Sequence, residues 1–195
     1  ISSQNDKEIV ISISNYLDDQ KEGVFKKIST DSLIIGNYKN DLLEGKYTVY
    51  TDPNVQSVLM NINKDTLQLS KIVTGYYKNN KSEGRWNYFD YTGQLTSSGT
   101  YKDSLKTGLW KEFYPKIIDD NGEKLSFSGE LFLEENYLND KLNGKSIRYS
   151  SIELTQVPCD NTSDKSCFEY NFVRDKITSH YKDGILDGFY EHIDE

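Results

Sequence analysis

Tyr38-Lys39-Asn40-Asp41-Leu42-Leu43-Glu44-Gly45, running on into Lys46-Tyr47-Thr48-Val49-Tyr50, contains the architectural signal of this chain. A Tyr is followed seven residues later by a Gly, and five residues beyond that by a large apolar residue. The same spacing returns at Tyr16/Gly23/Ile28, Tyr77/Gly84/Phe89, Tyr101/Gly108/Phe113, Tyr137/Gly144/Tyr149 and Tyr181/Gly188/Ile193. Six copies with one inner spacing mark internal repetition, which outranks any other fold signal. Each copy reads as a β-hairpin. An incoming strand such as Ser70–Tyr77 ends at the Tyr, a polar turn runs to the Gly, and an outgoing strand such as Arg85–Phe89 follows. The Gly is expected to take a positive φ or to lie where another strand passes too closely for a side chain.

Working outward, the repeat cores fall at 16–28, 38–50, 77–89, 101–113, 137–149 and 181–193, and insertions at 51–70, 115–130 and 150–176. The three prolines, Pro53, Pro115 and Pro158, all lie in insertions, as expected if the cores are sheet interior. A single hairpin is marginal alone, so the copies must stabilise one another by stacking. Composition agrees: the sequence has no Ala, the best helix former, and has 15 Tyr among many β-branched residues. The predicted fold is all-β, an elongated single-layer array of stacked antiparallel hairpins over residues 1–195 with three hairpin or loop insertions.

Lys and Arg number 23 against 31 Asp and Glu, a formal net charge of −8. Phosphate neutralisation needs basic clusters, and the densest short run is Lys26-Lys27, so nucleic acid is not an expected partner. An acidic surface either keeps a repeat protein soluble or steers a basic protein partner toward it. No apolar run is long enough to span a bilayer.

Cys159 and Cys167 flank Asp160–Ser166, a run of turn residues. As the tip of a hairpin it would place the two within disulfide reach; free thiols are the alternative. A disulfide implies an oxidising compartment, and the start at Ile1 rather than Met is consistent with a removed leader. The expected location is therefore extracytoplasmic: secreted, periplasmic or cell-surface.

Two residues after each repeat Gly stand Phe25, Tyr47, Trp86, Trp110, Ser146 and Tyr190; five residues after stand Ile28, Tyr50, Phe89, Phe113, Tyr149 and Ile193. An odd separation puts the two series on opposite faces of a strand unless a bulge intervenes. Either both rows are structural, or Phe25, Tyr47, Trp86, Trp110 and Tyr190 form an exposed aromatic groove for a protein partner.

The pattern Tyr-Lys-Asn/Asp, four residues, Gly-x-Trp/Tyr-x-x-Tyr/Phe resembles bacterial variants of the MORN repeat, most closely over Gly75–Phe89 and Gly99–Phe113. Phe89–Leu95 between those copies resembles the family's linking turn. The resemblance implies hairpin sheets with roles in protein–protein contact, oligomerisation and sometimes lipid association. One Trp- and Tyr-rich bacterial branch is grouped with antitoxins, many exported or lipid-anchored. This chain departs from the pattern in its irregular spacing. Gly36, Gly75 and Gly99, two residues before the Tyr, are also replaced by Ser14, Glu135 and Ser179 in other copies.

No catalytic constellation is legible. Gly-x-Ser-x-Gly is absent, and His180 and His192 sit beside or inside repeat strands. Asp18-Asp19 and Asp119-Asp120 are acidic pairs in turns without the regular calcium-loop pattern. The reading is a non-enzymatic protein-interaction module needing no cofactor or metal. The alternatives are a neutraliser of a basic toxin and an enzyme with an unrecognised site.

Overall fold

The computed structural model describes residues 11–29, 32–51, 70–115, 129–149, 153–158, 168–173 and 175–193. These residues are strands and turns, with no helix among them, as the repeats predict. The chain divides into two compact units, Ile1–Lys106 and Thr107–Glu195.

The first unit carries β1 (Ile11–Ile13), β2 (Tyr16–Leu17), β3 (Gln20–Lys21), β4 (Gly23–Ile28), β5 (Ser32–Lys39), β6 (Leu42–Leu43), β7 (Gly45–Thr51), β8 (Ser70–Lys78), β9 (Lys81–Phe89) and β10 (Leu95–Lys102). Its sheet runs β1-β4-β5-β7-β8-β9-β10, with β6 on β5 and β2–β3 as a small ribbon. Pairing is antiparallel throughout, and along this path spatial order follows chain order. The second unit carries β11 (Leu105–Phe113), which begins at the boundary, then β12 (Leu131–Leu138), β13 (Lys141–Tyr149), β14 (Glu153–Pro158), β15 (Phe168–Val173), β16 (Lys176–Lys182) and β17 (Ile185–Ile193). Its order is β11-β12-β13-β16-β17, and β14–β15 form a separate ribbon.

Turn chemistry explains the polar half of the repeat. The central pairs Asp18-Asp19, Asn40-Asp41, Asn79-Asn80, Asp103-Ser104, Asn139-Asp140 and Asp183-Gly184 all have positive φ, as at Asn40 (49°) and Asp41 (65°). Two consecutive left-handed residues are what a type I′ turn requires, and Asn and Asp tolerate that region best among residues with side chains. The turn is therefore shorter than the sequence reading placed it. It occupies two residues, the outgoing strand resumes at Lys81 or Lys141, and the repeat Gly lies inside that strand.

At that Gly the register shifts. Between paired residues, β9 has Gly84, Arg85 and Trp86 where β8 has only Gly75, a β-bulge, and Gly84 has φ +68°. Shifts of the same kind occur in β12–β13 and β16–β17. The carbonyl just past the repeat Gly is met in three copies by the Asn preceding the Tyr. Asn15, Asn37 and Asn136 donate from Nδ2 to the carbonyls of Val24, Lys46 and Lys145.

Successive turns in the first unit are bonded to one another. Asp41 Oδ1 accepts from the Lys21 amide at 2.8 Å, and the Asp41 amide donates to the Lys21 carbonyl at 3.1 Å. Asn80 treats Leu43 the same way at 2.6 and 3.0 Å, and Ser104 treats Ser82 at 2.9 Å in both directions. The Glu before each repeat Gly completes the link: Glu22, Glu44 and Glu83 accept from the amides of Asn40, Asn79 and Asp103. Asn80→Ala should thus remove a hydrogen bond and strain a left-handed position at once. The expected loss is about 2 kcal/mol, measurable as a lower urea midpoint, with Asn80→Asp recovering most of it.

The two faces differ. On one, Phe25, Tyr47 and Trp86 lie opposite Gly36, Gly75 and Gly99 of the next strand. The repeat tyrosines pack beside them. Tyr38 is 4.6 Å from Phe25 between ring centres, Tyr77 is 5.1 Å from Tyr47 and 5.3 Å from Trp86, and Tyr101 is 5.8 Å from Trp86. On the other face Thr48 and Ser98 are buried within a polar row. The row is linked by Asn87 to Thr74 (3.4 Å) and Arg85 to Ser98 (3.2 Å), which satisfies groups that burial would otherwise penalise.

Three phenols are held neutral by this packing. Tyr47 is shifted up by burial and then by the neighbouring Tyr77 and Tyr38. Tyr88 is shifted up by burial and its contact with the Tyr101 hydroxyl, and Tyr137 by burial and its 2.6 Å hydrogen bond to Glu135. A raised folded-state pKa means that the folded chain holds its protons longer than the unfolded chain. That stabilisation is complete below the ordinary phenol value near 10 and is lost as pH rises beyond it. Stability should stay flat toward pH 10 from this source and fall above it. Tyr88→Phe should reduce the steepness of that fall in an alkaline denaturation series.

Candidate functional site: the aromatic row and the last strand

Of the residues that would line an exposed groove on one of the two readings, most are buried. Phe25 is 6% exposed, Trp86 4% and Trp110 4%; Tyr47 is half-buried, and Tyr190 alone is open, at 60%. Burial therefore favours the structural reading of the row over an exposed groove, at Phe25 and Trp86 in the first unit and at Trp110 in the second. At Phe25 and Trp86 the reason is the glycine opposite the ring, Gly36 and Gly99. Without a side chain at Gly36, Phe25 settles onto the strand, and a Cβ built there would meet Phe25 Cε1 at 2.5 Å and Tyr47 Cδ2 at 3.2 Å. At Gly75 the same Cβ would overlap Trp86 Cδ2, Cε2 and Cε3. Rings from flanking strands meet over the glycines, as Tyr47 and Trp86 do at 6.0 Å. The second series is half-buried at Tyr50 and Phe89 on the opposite face, where Lys71 Nζ stands 5.2 Å from the Phe89 ring.

In the second unit the row across the sheet reads Trp110, Glu135, Ser146, Ser179, Tyr190. Ser146 replaces the ring and Ser179 the glycine, and the two face each other. Where no ring must be seated, no glycine is needed. Glu135, opposite Trp110, accepts the Tyr137 hydroxyl at 2.6 Å. Lys111 and Glu134, the next pair along, form an ion pair at 2.6 Å.

The open end of this row is β17. It is the last strand in its sheet, and among the described residues no strand pairs with its outer side. Ile185 (72% exposed), Leu186, Tyr190 and Ile193 all present apolar surface there. The sequence reading singled out Tyr190 but missed Ile185 and Leu186, because the repeat spacing does not mark which copy ends the sheet. It also missed the Glu that links turns, although the dipeptide Glu-Gly at 22–23, 44–45 and 83–84 was a usable signal.

Cys159 and Cys167 lie outside the described residues. The strands on either side of them do pair, with Pro158 opposite Phe168. Asn121-Gly122 and most of the first insertion also fall outside. His192 Nε2 stands 3.4 Å from Asp175 Oδ2. Among the described residues no three His, Cys, Asp or Glu side chains converge as a metal site, and no helix is long and apolar enough to cross a membrane. No family model matches this chain, and no curated protein matches it.

Proposed function

We propose that this chain is a non-enzymatic, extracytoplasmic protein-interaction module built of MORN-like repeats. The observation that carries the reading is β17: an edge strand with an unpaired outer side among the described residues, four exposed apolar residues, and no Lys or Pro. Lys and Pro are among the devices that stop an edge from recruiting another chain, and an edge that lacks both and exposes apolar residues is open to β-addition. The test is photo-crosslinking in the producing cells from position 190, with Tyr91, equally exposed but in a linking turn, as control. Protein adducts at 190 and not at 91 are expected; their absence at 190 rejects the reading.

A second reading is neutralisation of a basic toxin, favoured by the net charge of −8. Steered association of that kind weakens steeply with salt. Rescue of cells expressing such a toxin, lost when the acidic turns are neutralised, would support it. An extracytoplasmic location rests on the Cys pair, and titration showing two reactive thiols in the native protein would remove that support.

A further inference from the structure

We propose that the sheet extends itself: β17 of one copy receives β1 and β2 of a second copy as its next strand. The inference rests on the interaction reading above and names its partner. Its basis is the contact that joins each outgoing strand to the following incoming strand within the chain. That contact has one register everywhere it is described: the repeat Gly stands opposite the next copy's Tyr, as in Gly23–Tyr38, Gly45–Tyr77, Gly84–Tyr101, Gly108–Tyr137 and Gly144–Tyr181. It uses three further parts. A ring, or a serine, stands two residues past the Gly, opposite a residue that is small in four of the five contacts. In the three contacts within the first unit an acidic residue just before the Gly also receives the first turn amide, and the second turn side chain bonds the residue before that.

The unpaired edges of β17 and β1 hold these parts in matching positions. On β17, Gly188 is followed by Tyr190 and preceded by Asp187 and Leu186. On the β1–β2 strand, Tyr16 is preceded by Ser14 and followed by the left-handed pair Asp18-Asp19. Aligning Gly188 with Tyr16 of a second copy places Tyr190 opposite Ser14 and Glu191 opposite Ile13. The Asp187 carboxylate then faces the Asp18 amide, and Asp19 faces the Leu186 amide. The exposed apolar residues at the two edges, Ile185, Leu186, Tyr190 and Ile193 on one and Ile13, Tyr16 and Leu17 on the other, cover each other in this arrangement. Among the described residues no strand pairs with the outer side of β1, which also lacks Lys and Pro. A contact between unlike edges leaves one free edge at each end of a dimer, so copies add head to tail rather than pairing by two-fold symmetry.

Sedimentation velocity on the full chain over a concentration series tests this. Native protein should form dimers and longer species, and more of them at higher salt, because each copy carries a net charge of −8. Ile13→Glu puts like charges directly opposite at Glu191 and should weaken association about tenfold or more, while Ile13→Glu with Glu191→Lys should restore it. Tyr190→Lys should weaken it about as much, with circular dichroism unchanged in all variants. Pairing of β17 with β17 would ignore Ile13→Glu, and that result overturns the proposal. So does a native chain that remains monomeric throughout. A monomeric chain that still gives adducts to another protein from position 190 defeats this inference and leaves the interaction reading standing. A monomer without adducts defeats both.

Discussion

Gly75→Ala is expected to destabilise the first unit by about 2–3 kcal/mol, although it adds one methyl group to a strand. Strand propensity predicts the opposite sign, since Ala costs less backbone entropy than Gly. The steric term wins because the methyl would enter the volume held by Trp86 Cδ2, Cε2 and Cε3. That ring cannot move aside freely: Tyr47, Tyr77 and Tyr101 have ring centres within 6.0 Å of it. Gly84→Ala is the informative contrast. Nothing lies within 4 Å of a Cβ there, but φ is +68°, so its cost is the left-handed penalty alone, about 1–2 kcal/mol.

The mechanism separates these two glycines. Pairing Gly75→Ala with Trp86→Ser should cost clearly less than the two single losses added together, because the second change vacates the space that the methyl needs. The chain already contains this solution where Ser146 faces Ser179. A coupling energy above about 1 kcal/mol is expected between positions 75 and 86, and close to none between 84 and 86. Amide hydrogen exchange over residues 70–102 reads the effect within the first unit. If Gly75→Ala leaves those amides as protected as in the native chain, the ring-over-glycine account of the column fails.

What was legible beforehand divides along the same physical line. Hairpins, their order and the positive φ of the repeat Gly follow from local chemistry, and the Tyr-to-Gly spacing displays that chemistry directly. The exposure of the aromatic row was not legible, because burial of Trp86 depends on residues from two other strands that happen to be Gly75 and Gly99. The signal existed in the covariation of the copies. Phe25, Tyr47 and Trp86 each face a glycine, whereas Ser146 faces a serine. Read copy by copy, the departures at Glu135 and Ser179 look like irregularities. Read across strands, Ser179 is the partner of Ser146, and within its own strand Glu135 is the acceptor for Tyr137. Tyr190 escaped the same treatment because its copy has no following strand among the described residues, and a repeat pattern treats its last member like the others.

Trp86→Ala is expected to have the largest effect of all, about 3–5 kcal/mol, the range for deleting a buried aromatic side chain where the surroundings collapse only partly. Four rings lose their common neighbour, and among the described residues no second layer stands ready to fill the gap. Trp86→Phe should lose far less, about 1 kcal/mol. The indole Nε1 is buried without a hydrogen-bond partner among the described residues, so replacing it by a hydrocarbon edge removes an unsatisfied donor while most of the packing stays. The order Ala far below Phe, in a urea titration of each variant, tests the keystone role, and equal losses would refute it. The consequence for function is direct. A binding defect in Trp86→Ala reports the collapse of the column that holds β7, β8, β9 and β10 in register, not the loss of a contact surface. Tyr190→Ala removes a ring that already faces outward, so its stability should stay within about 0.5 kcal/mol of native. Any loss of association there belongs to the edge itself.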